Sequence, residues 1–253
     1  RDTLLARNCQ AGTRFLVTMG DGDDQTILTD ITASTISLHT GADNDFLSMQ
    51  RAETTSGMLY VHFNAGSDVL EAEQLVAATD LIVHGDGNGD HHVTLRDVYA
   101  NHDVRVRTWN GDDVIQMNQV KARHNVFAHY GEGANILQMR EILAGNRVTA
   151  SGNGGADVVH LELIDTRYLN VHTGAGNDRV TMQYINACNQ LTVYLGDGDD
   201  VLQMSHSYSG LPILYGGPGT DTLYDLPNAF DEVLAVGATD KNNDIASYSN
   251  KGE

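Results

Sequence analysis

The chain has only two cysteines, Cys9 and Cys188, in 253 residues. That excludes a disulfide framework, and two thiols so far apart along the chain are expected to be free. It has three prolines, one tryptophan and five phenylalanines, too few large rings to fill a thick globular core. Basic residues are scarce as well. Lys and Arg total 15 against 34 Asp and Glu, a formal net charge of -19. Nucleic acid and anionic membrane surfaces are therefore poor partners, and cations or a basic macromolecule better ones. No apolar run approaches the roughly 20 residues that span a bilayer as a helix, so membrane insertion is not expected. Glycine, in contrast, occurs 26 times, and its placement is periodic.

An acidic glycine turn recurs, as in GDGDD at 20–24, GAGND at 174–178 and GDGDD at 196–200. Ten such turns end at Asp24, Asp45, Asp68, Asp90, Asp113, Asn135, Asp157, Asp178, Asp200 and Asp221, a period of about 22 residues. The residues between turns keep the same phase. Two after the terminal acid stand Leu47, Leu70, Ile115, Leu137, Val159, Val180 and Leu202. Four after it stand Leu28, Met49, Met117, Met139, Leu161, Met182 and Met204, which collect five of the seven methionines. Seven after come Ile31, Leu75, Val120, Ile142, Ile164 and Ile185. Seven and nine before it, Val, Leu and Ile dominate again. Each repeat thus shows period-2 alternation twice, the mark of two short half-buried strands.

Strands this short cannot bury an apolar face alone. Stacking the repeats at about 4.8 Å turns each column of like residues into an internal ladder. The expectation is an all-β, single-domain parallel β-helix (solenoid) of about ten coils, right-handed by the crossover rule. Residues 14–222 form the solenoid on this reading. Residues 1–13 serve as an N-terminal cap and residues 223–253 as a C-terminal cap and tail, with Pro227 and residues 232–236 closing the last coil.

The runs Gly196-Asp197-Gly198-Asp199-Asp200-Val201-Leu202 and Gly174-Ala175-Gly176-Asn177-Asp178-Arg179-Val180 resemble the hemolysin-type (RTX) calcium repeat, G-x-G-x-D-x-hydrophobic. The chain as a whole resembles bacterial secreted parallel β-helix repeat proteins. The resemblance implies calcium held by turn carbonyls and by Asp carboxylates of stacked turns. Its ligand set here is Asp24 with Asp45 and Asp178 with Asp200, together with Gly20, Gly22, Gly174, Gly176, Gly196 and Gly198. The RTX family repeats every nine residues, however, whereas this turn comes once in about 22, so one edge alone could carry ions. Independently of any family, stacked carboxylates repel one another, and calcium takes six to eight oxygens of this kind. The metal-free alternative is an Asp that accepts hydrogen bonds from nearby amides.

His39, His62, His84, His129 and His172 share one phase, six residues before the acid, and face outward. His39, His62 and His84 lie on consecutive coils and could share a transition metal, or form a plain exposed stripe. His102 and His124 make a shorter pair at the far corner. Phe46, Val69, Val114, Ile136, Val158 and Val201, just after the acid, form an outward apolar stripe that is a face for self-association, a surface covered by the C-terminal tail, or plain β-propensity at a half-shielded corner. For catalysis little speaks. No repeat carries a long insertion that would build a cleft. Paired acids such as Asp23 with Asp24 and Asp112 with Asp113 are expected to be solvated and ionised together. Arg105 and Arg107 beside Trp109 and Asp112 are the one local concentration of suitable groups. The reading is a non-catalytic extracellular structural or adhesin-like module, secreted or at a cell surface, whose partner is a surface polysaccharide or protein. A polysaccharide lyase or hydrolase is the alternative.

Overall fold

The computed structural model describes residues 1–225 and 236–237. Those residues form a parallel β-solenoid of about ten coils, with no helix among them. Successive coils pair in parallel register. Val114–Ala122 lies between His92–Ala100 and Ile136–Ala144. Asn125–His129 lies between Asp103–Arg107 and Arg147–Ser151.

The apolar columns read from the sequence are the core. Met117, Met139 and Met182 are at most 1% exposed, and they sit one above the next with Leu161 between the last two. A further internal column lies nine residues after the inward residue of each turn: Ala33, Ala77, Ala100, Ala122, Ala144 and Ala187, with Thr54 and Thr166. Alanine and threonine occupy these positions, where the coil turns toward its next strand and large side chains are absent.

The longer strand of each coil is not straight. One residue in it has positive φ: Asp30, Arg51, Gln74, Asp97, Gln119, Glu141, Leu163, Tyr184 and His206, all near +50° to +57°. Every one lies six residues after the position facing the acid column. A single left-handed residue per coil turns the chain, so the outward residues at that bend are two in succession. The two alternating runs in the sequence are therefore parts of a coil with three short faces.

Residues 1–13 carry the first coil. Thr3–Thr18 pairs in parallel with Gln25–His39 along almost its whole length. Leu4, Ala6, Cys9, Ala11 and Phe15 are only partly buried against the core, as befits an end coil. At the other end Val236–Gly237 pairs with Leu214 and Tyr215. The expected role of Pro227 and of residues 232–235, and of the tail from 238, lies outside the described residues. Cys9 and Cys188 are free thiols.

Candidate functional site

The acidic turn is built by close approach of successive coils. The carbonyl oxygen of Gly176 would lie 1.8 Å from a Cβ added at Gly198, whose φ is +146°. The Gly174 carbonyl would lie 1.6 Å from one added at Gly196. Glycine is thus required at these positions twice over, by conformation and by contact. Gly20 and Gly22 sit at the end of the stack, and a Cβ on Gly20 would meet nothing.

The terminal acid of each turn points into the coil and is buried. Asp24, Asp45, Asp178 and Asp200 are all at most 4% exposed. Each Oδ1 accepts the backbone N–H of the equivalent residue one coil earlier. The amide of Asp24 donates to Asp45 at 2.8 Å, that of Asp157 to Asp178 at 2.8 Å and that of Asp178 to Asp200 at 2.8 Å. Asn135 continues the ladder, accepting from Asp113 at 2.9 Å and donating its Nδ2 to the Gly133 carbonyl at 2.9 Å. The Oδ2 atoms of Asp24, Asp45, Asp68, Asp113, Asp157, Asp178, Asp200 and Asp221 are buried and have no hydrogen-bond partner.

Burial raises the carboxyl pKa values of Asp45, Asp157, Asp178, Asp200 and Asp221. Asp157 rises to about 7, with the Asn135 amide opposing the shift and the Asp178 charge adding to it. Asp200 rises to about 6, by burial first, with the Asp178 amide opposing the shift and the Asp178 and Asp221 charges adding to it. Asp113 is raised by burial too. The paired acids are hence not alike. Asp113 is buried while Asp112 is exposed, and Asp24 is buried while Asp23 is exposed. The expectation that both members of such a pair are solvated is corrected on that point. The ligand set inferred from the turns is thus brought into two stacked pairs. An ion there would find one free Oδ2 per coil, since each Oδ1 is already engaged.

One member of the column differs from the sequence reading. Asp90 is exposed, and His91 takes the inward place. His92 pairs with Val69 and with Val114, which aligns His91 with Asp68 and Asp113. Its side chain is fully buried, with Nδ1 3.4 Å from Asp68 Oδ2 and the ring stacked on Phe63. Burial works against its charge, but Asp68 and Asp113 outweigh it and raise its pKa. Gly85 makes room, for a Cβ there would lie 2.9 Å from the imidazole.

This coil has one extra residue in its turn. Gly85 pairs with Phe63, yet six residues separate Gly85 from His91 where five separate Phe63 from Asp68. The slack directs Asp86 outward beside the histidine column. His62 Nε2 lies 2.8 Å from Asp86 Oδ2, and His84 Nε2 lies 3.0 Å from Asp86 Oδ1. The indole Nε1 of Trp109, one coil on, is 3.1 Å from His84 Nε2. Sequence spacing found the two histidines but not Asp86, because the motif DGNGD at 86–90 presents Asp90 as the acid that matters.

The outward column itself runs unbroken over nine coils: His39, His62, His84, Arg107, His129, Ser151, His172, Tyr194 and Tyr215. His172 stacks on Tyr194 at 4.8 Å, and Tyr194 on Tyr215 at 4.8 Å with planes 4° apart. Arg107 lies over the Trp109 ring at 3.6 Å. Burial lowers the pKa of His39, His84, His129 and His172, so these imidazoles are neutral at neutral pH. At the far corner His102 meets His124 edge-on at 4.4 Å. Asp103 beside them is already bonded to Arg105 and to Asn125.

The groups flagged for catalysis are engaged in structure. Arg105 pairs with Asp80 and Asp103, and Asp112 accepts the Ala134 amide. A shallow open depression of about 290 Å³ lies on another face, between Gln10, Asp30, Arg51, Glu53 and Gln74. There Arg51 is tied to Asp30 at 2.5 Å. The apolar stripe is outward as expected, with Ile136 39% and Val158 44% exposed. No family model, curated protein or solved structure matches the chain.

Proposed function

We propose that the chain is a non-catalytic extracellular surface-interaction module, a rigid adhesin-like rod that presents its outward imidazole and aromatic column to a polysaccharide. One observation carries this reading: of nine stacked outward positions on one sheet face, eight carry His, Tyr or Arg side chains in a single line, with Ser151 the ninth. Flat rings stacked along a straight face suit the apolar faces of sugar rings, and polar edges at the same positions suit their hydroxyls. A hydrolase or lyase needs a concave site with convergent acid and base, whereas on this face Asp86 is engaged by His62 and His84 and Arg107 lies over the Trp109 ring. Incubation with a panel of neutral and acidic polysaccharides tests the proposal. Retention on at least one, lost in Tyr194→Ala/Tyr215→Ala, without new reducing ends is the expected result. New reducing ends or unsaturated products would establish the enzyme alternative.

The proposal gives calcium a structural role at the acidic turns, supported by the partnerless Oδ2 atoms of Asp24, Asp45, Asp178 and Asp200. Calcium bound there would supply the charge that the buried carboxylates lack. At pH 8, millimolar calcium should raise the melting temperature by several degrees and chelator should reverse it. An unchanged melting curve removes calcium from the account and leaves the surface reading intact. The stripe Phe46, Val69, Val114, Ile136, Val158 and Val201 is the proposed face for self-association, and sedimentation at rising protein concentration tests it.

A further inference from the structure

We propose that His62, His84 and Asp86 form a binding site for a divalent transition metal of the zinc class, separate from the acidic turns. The three residues offer Nε2, Nε2 and a carboxylate oxygen that all lie within 4.8 Å of one another. Their side chains are partly buried, at 20%, 29% and 48% exposure. Asp86 turns one oxygen to each imidazole, Oδ2 at 2.8 Å from His62 Nε2 and Oδ1 at 3.0 Å from His84 Nε2, each separation a few tenths below the edge of about 3.3 Å of a tetrahedron with bonds of roughly 2.0–2.1 Å. Two imidazoles and one carboxylate, with a fourth position open to water, is a donor set that suits zinc, copper or nickel and does not suit calcium.

The proton inventory points the same way. His84 Nε2 faces the Trp109 N–H at 3.1 Å and Asp86 Oδ1 at 3.0 Å. If that nitrogen accepts from the indole, its lone pair confronts a carboxylate oxygen. If it carries a proton for the carboxylate, that proton confronts the indole N–H. A cation between His84 and Asp86 removes the conflict, and the indole N–H is then free to serve the carboxylate as an outer partner. Arg107, stacked on Trp109, opposes a second positive charge, whereas Asp86 and the chain's net charge of -19 favour one. The site exists because of a local irregularity. The extra residue between Gly85 and His91 brings Asp86 to the column, and His62 and His84 are neighbours in register. Among the described residues, a second cluster of this composition, His102, Asp103 and His124, is a poorer site because Asp103 is committed to Arg105 and Asn125.

Trp109 is the only tryptophan of the chain, and its indole Nε1 lies 3.1 Å from His84 Nε2, so its emission reports on the neighbourhood of this site. The test combines calorimetric titration with Zn²⁺ at pH 7.5 and fluorescence titration with Cu²⁺. Expected are one Zn²⁺ per chain with micromolar affinity and quenching of Trp109 complete at one equivalent of Cu²⁺. Asp86→Asn and His84→Gln should each weaken Zn²⁺ at least tenfold, while His102→Gln leaves it unchanged. Circular dichroism and thermal melting establish that each variant is folded. Asp86→Asn, on an exposed turn, suffices should His84→Gln not fold. Absence of stoichiometric quenching, or loss of zinc in His102→Gln with retention in Asp86→Asn, would overturn the proposal.

Discussion

Replacing Asp157 by asparagine should stabilise the protein at alkaline pH and cost about 1–3 kcal/mol in acid, where the carboxyl it replaces is already neutral. In the folded chain the Asp157 carboxyl titrates at about 7 against a reference value of 3.8. That gap of roughly three pH units corresponds to about 4 kcal/mol at 1.36 kcal/mol per unit. The sign follows from linkage. A carboxyl whose folded pKa is raised keeps its proton longer in the native than in the unfolded state. Its full contribution is present below about pH 4, declines as pH rises toward 7, and is gone above that. An asparagine carries no charge to bury, and the column shows that it fits. Asn135 holds the same place, accepting the Asp113 amide and donating to the Gly133 carbonyl. The carbonyl of Gly155 is the counterpart for position 157. Allowing about 1–3 kcal/mol for an imperfectly bonded amide, Asp157→Asn should gain on the order of 1–3 kcal/mol at pH 8. Urea unfolding from pH 4 to pH 8, with chelator present, reads this directly. The wild type should lose stability across that range, and the variant should lose visibly less. Equal destabilisation of the variant at both ends, or a wild type whose stability does not fall between pH 4 and pH 7, would refute the reasoning.

Other consequences follow from packing. A Cβ at residue 152 would lie 2.3 Å from the Tyr130 ring and 2.7 Å from Asp157 Oδ2, so Gly152→Ala should cost about 1–3 kcal/mol or more in urea unfolding. Met139→Ala, in a column with no exposure, should cost about 2–5 kcal/mol by the same assay. Gly198→Ala combines a φ of +146° with a Cβ 1.8 Å from the Gly176 carbonyl; it should lower the melting temperature well beyond the effect of Asp199→Ala at the exposed position next to it.

The sequence is most legible where a column is chemically uniform. Leu, Ile, Val and Met recur at fixed phase because each must fill the same slot one coil higher, and that alone implies stacked coils. The alanine column carries as clear a pattern, but small residues are weak markers of burial and are easily passed over. The left-handed bend leaves no compositional trace. Asp30, Arg51, Glu141, Leu163 and Tyr184 all occupy it, since an exposed left-handed residue imposes only a modest cost that the ladder hydrogen bonds offset. The misplacement of Asp90 has a different origin. A one-residue insertion keeps the motif readable while moving it out of register, and only the pairing of His92 with Val69 and Val114 reveals it. The outward histidines were visible as a column for the same reason as the core. Their third companion, Asp86, depends on that insertion and on Trp109 one coil away, neither of which is periodic.

The central claim is that equivalent residues of consecutive repeats touch in parallel register. Gln116 and Gln138 are such a pair, with Nε2 of the first 3.2 Å from Oε1 of the second. In a chain with Cys9→Ser and Cys188→Ser, the double variant Gln116→Cys/Gln138→Cys places two thiols on neighbouring strands about 4.8 Å apart, within disulfide reach. Gln116→Cys/His160→Cys places them two coils apart, at roughly 9.6 Å, beyond it. Mild oxidation followed by mass spectrometry should give an intramolecular disulfide in the first variant and free thiols in the second. A disulfide in the second without one in the first would contradict the stack.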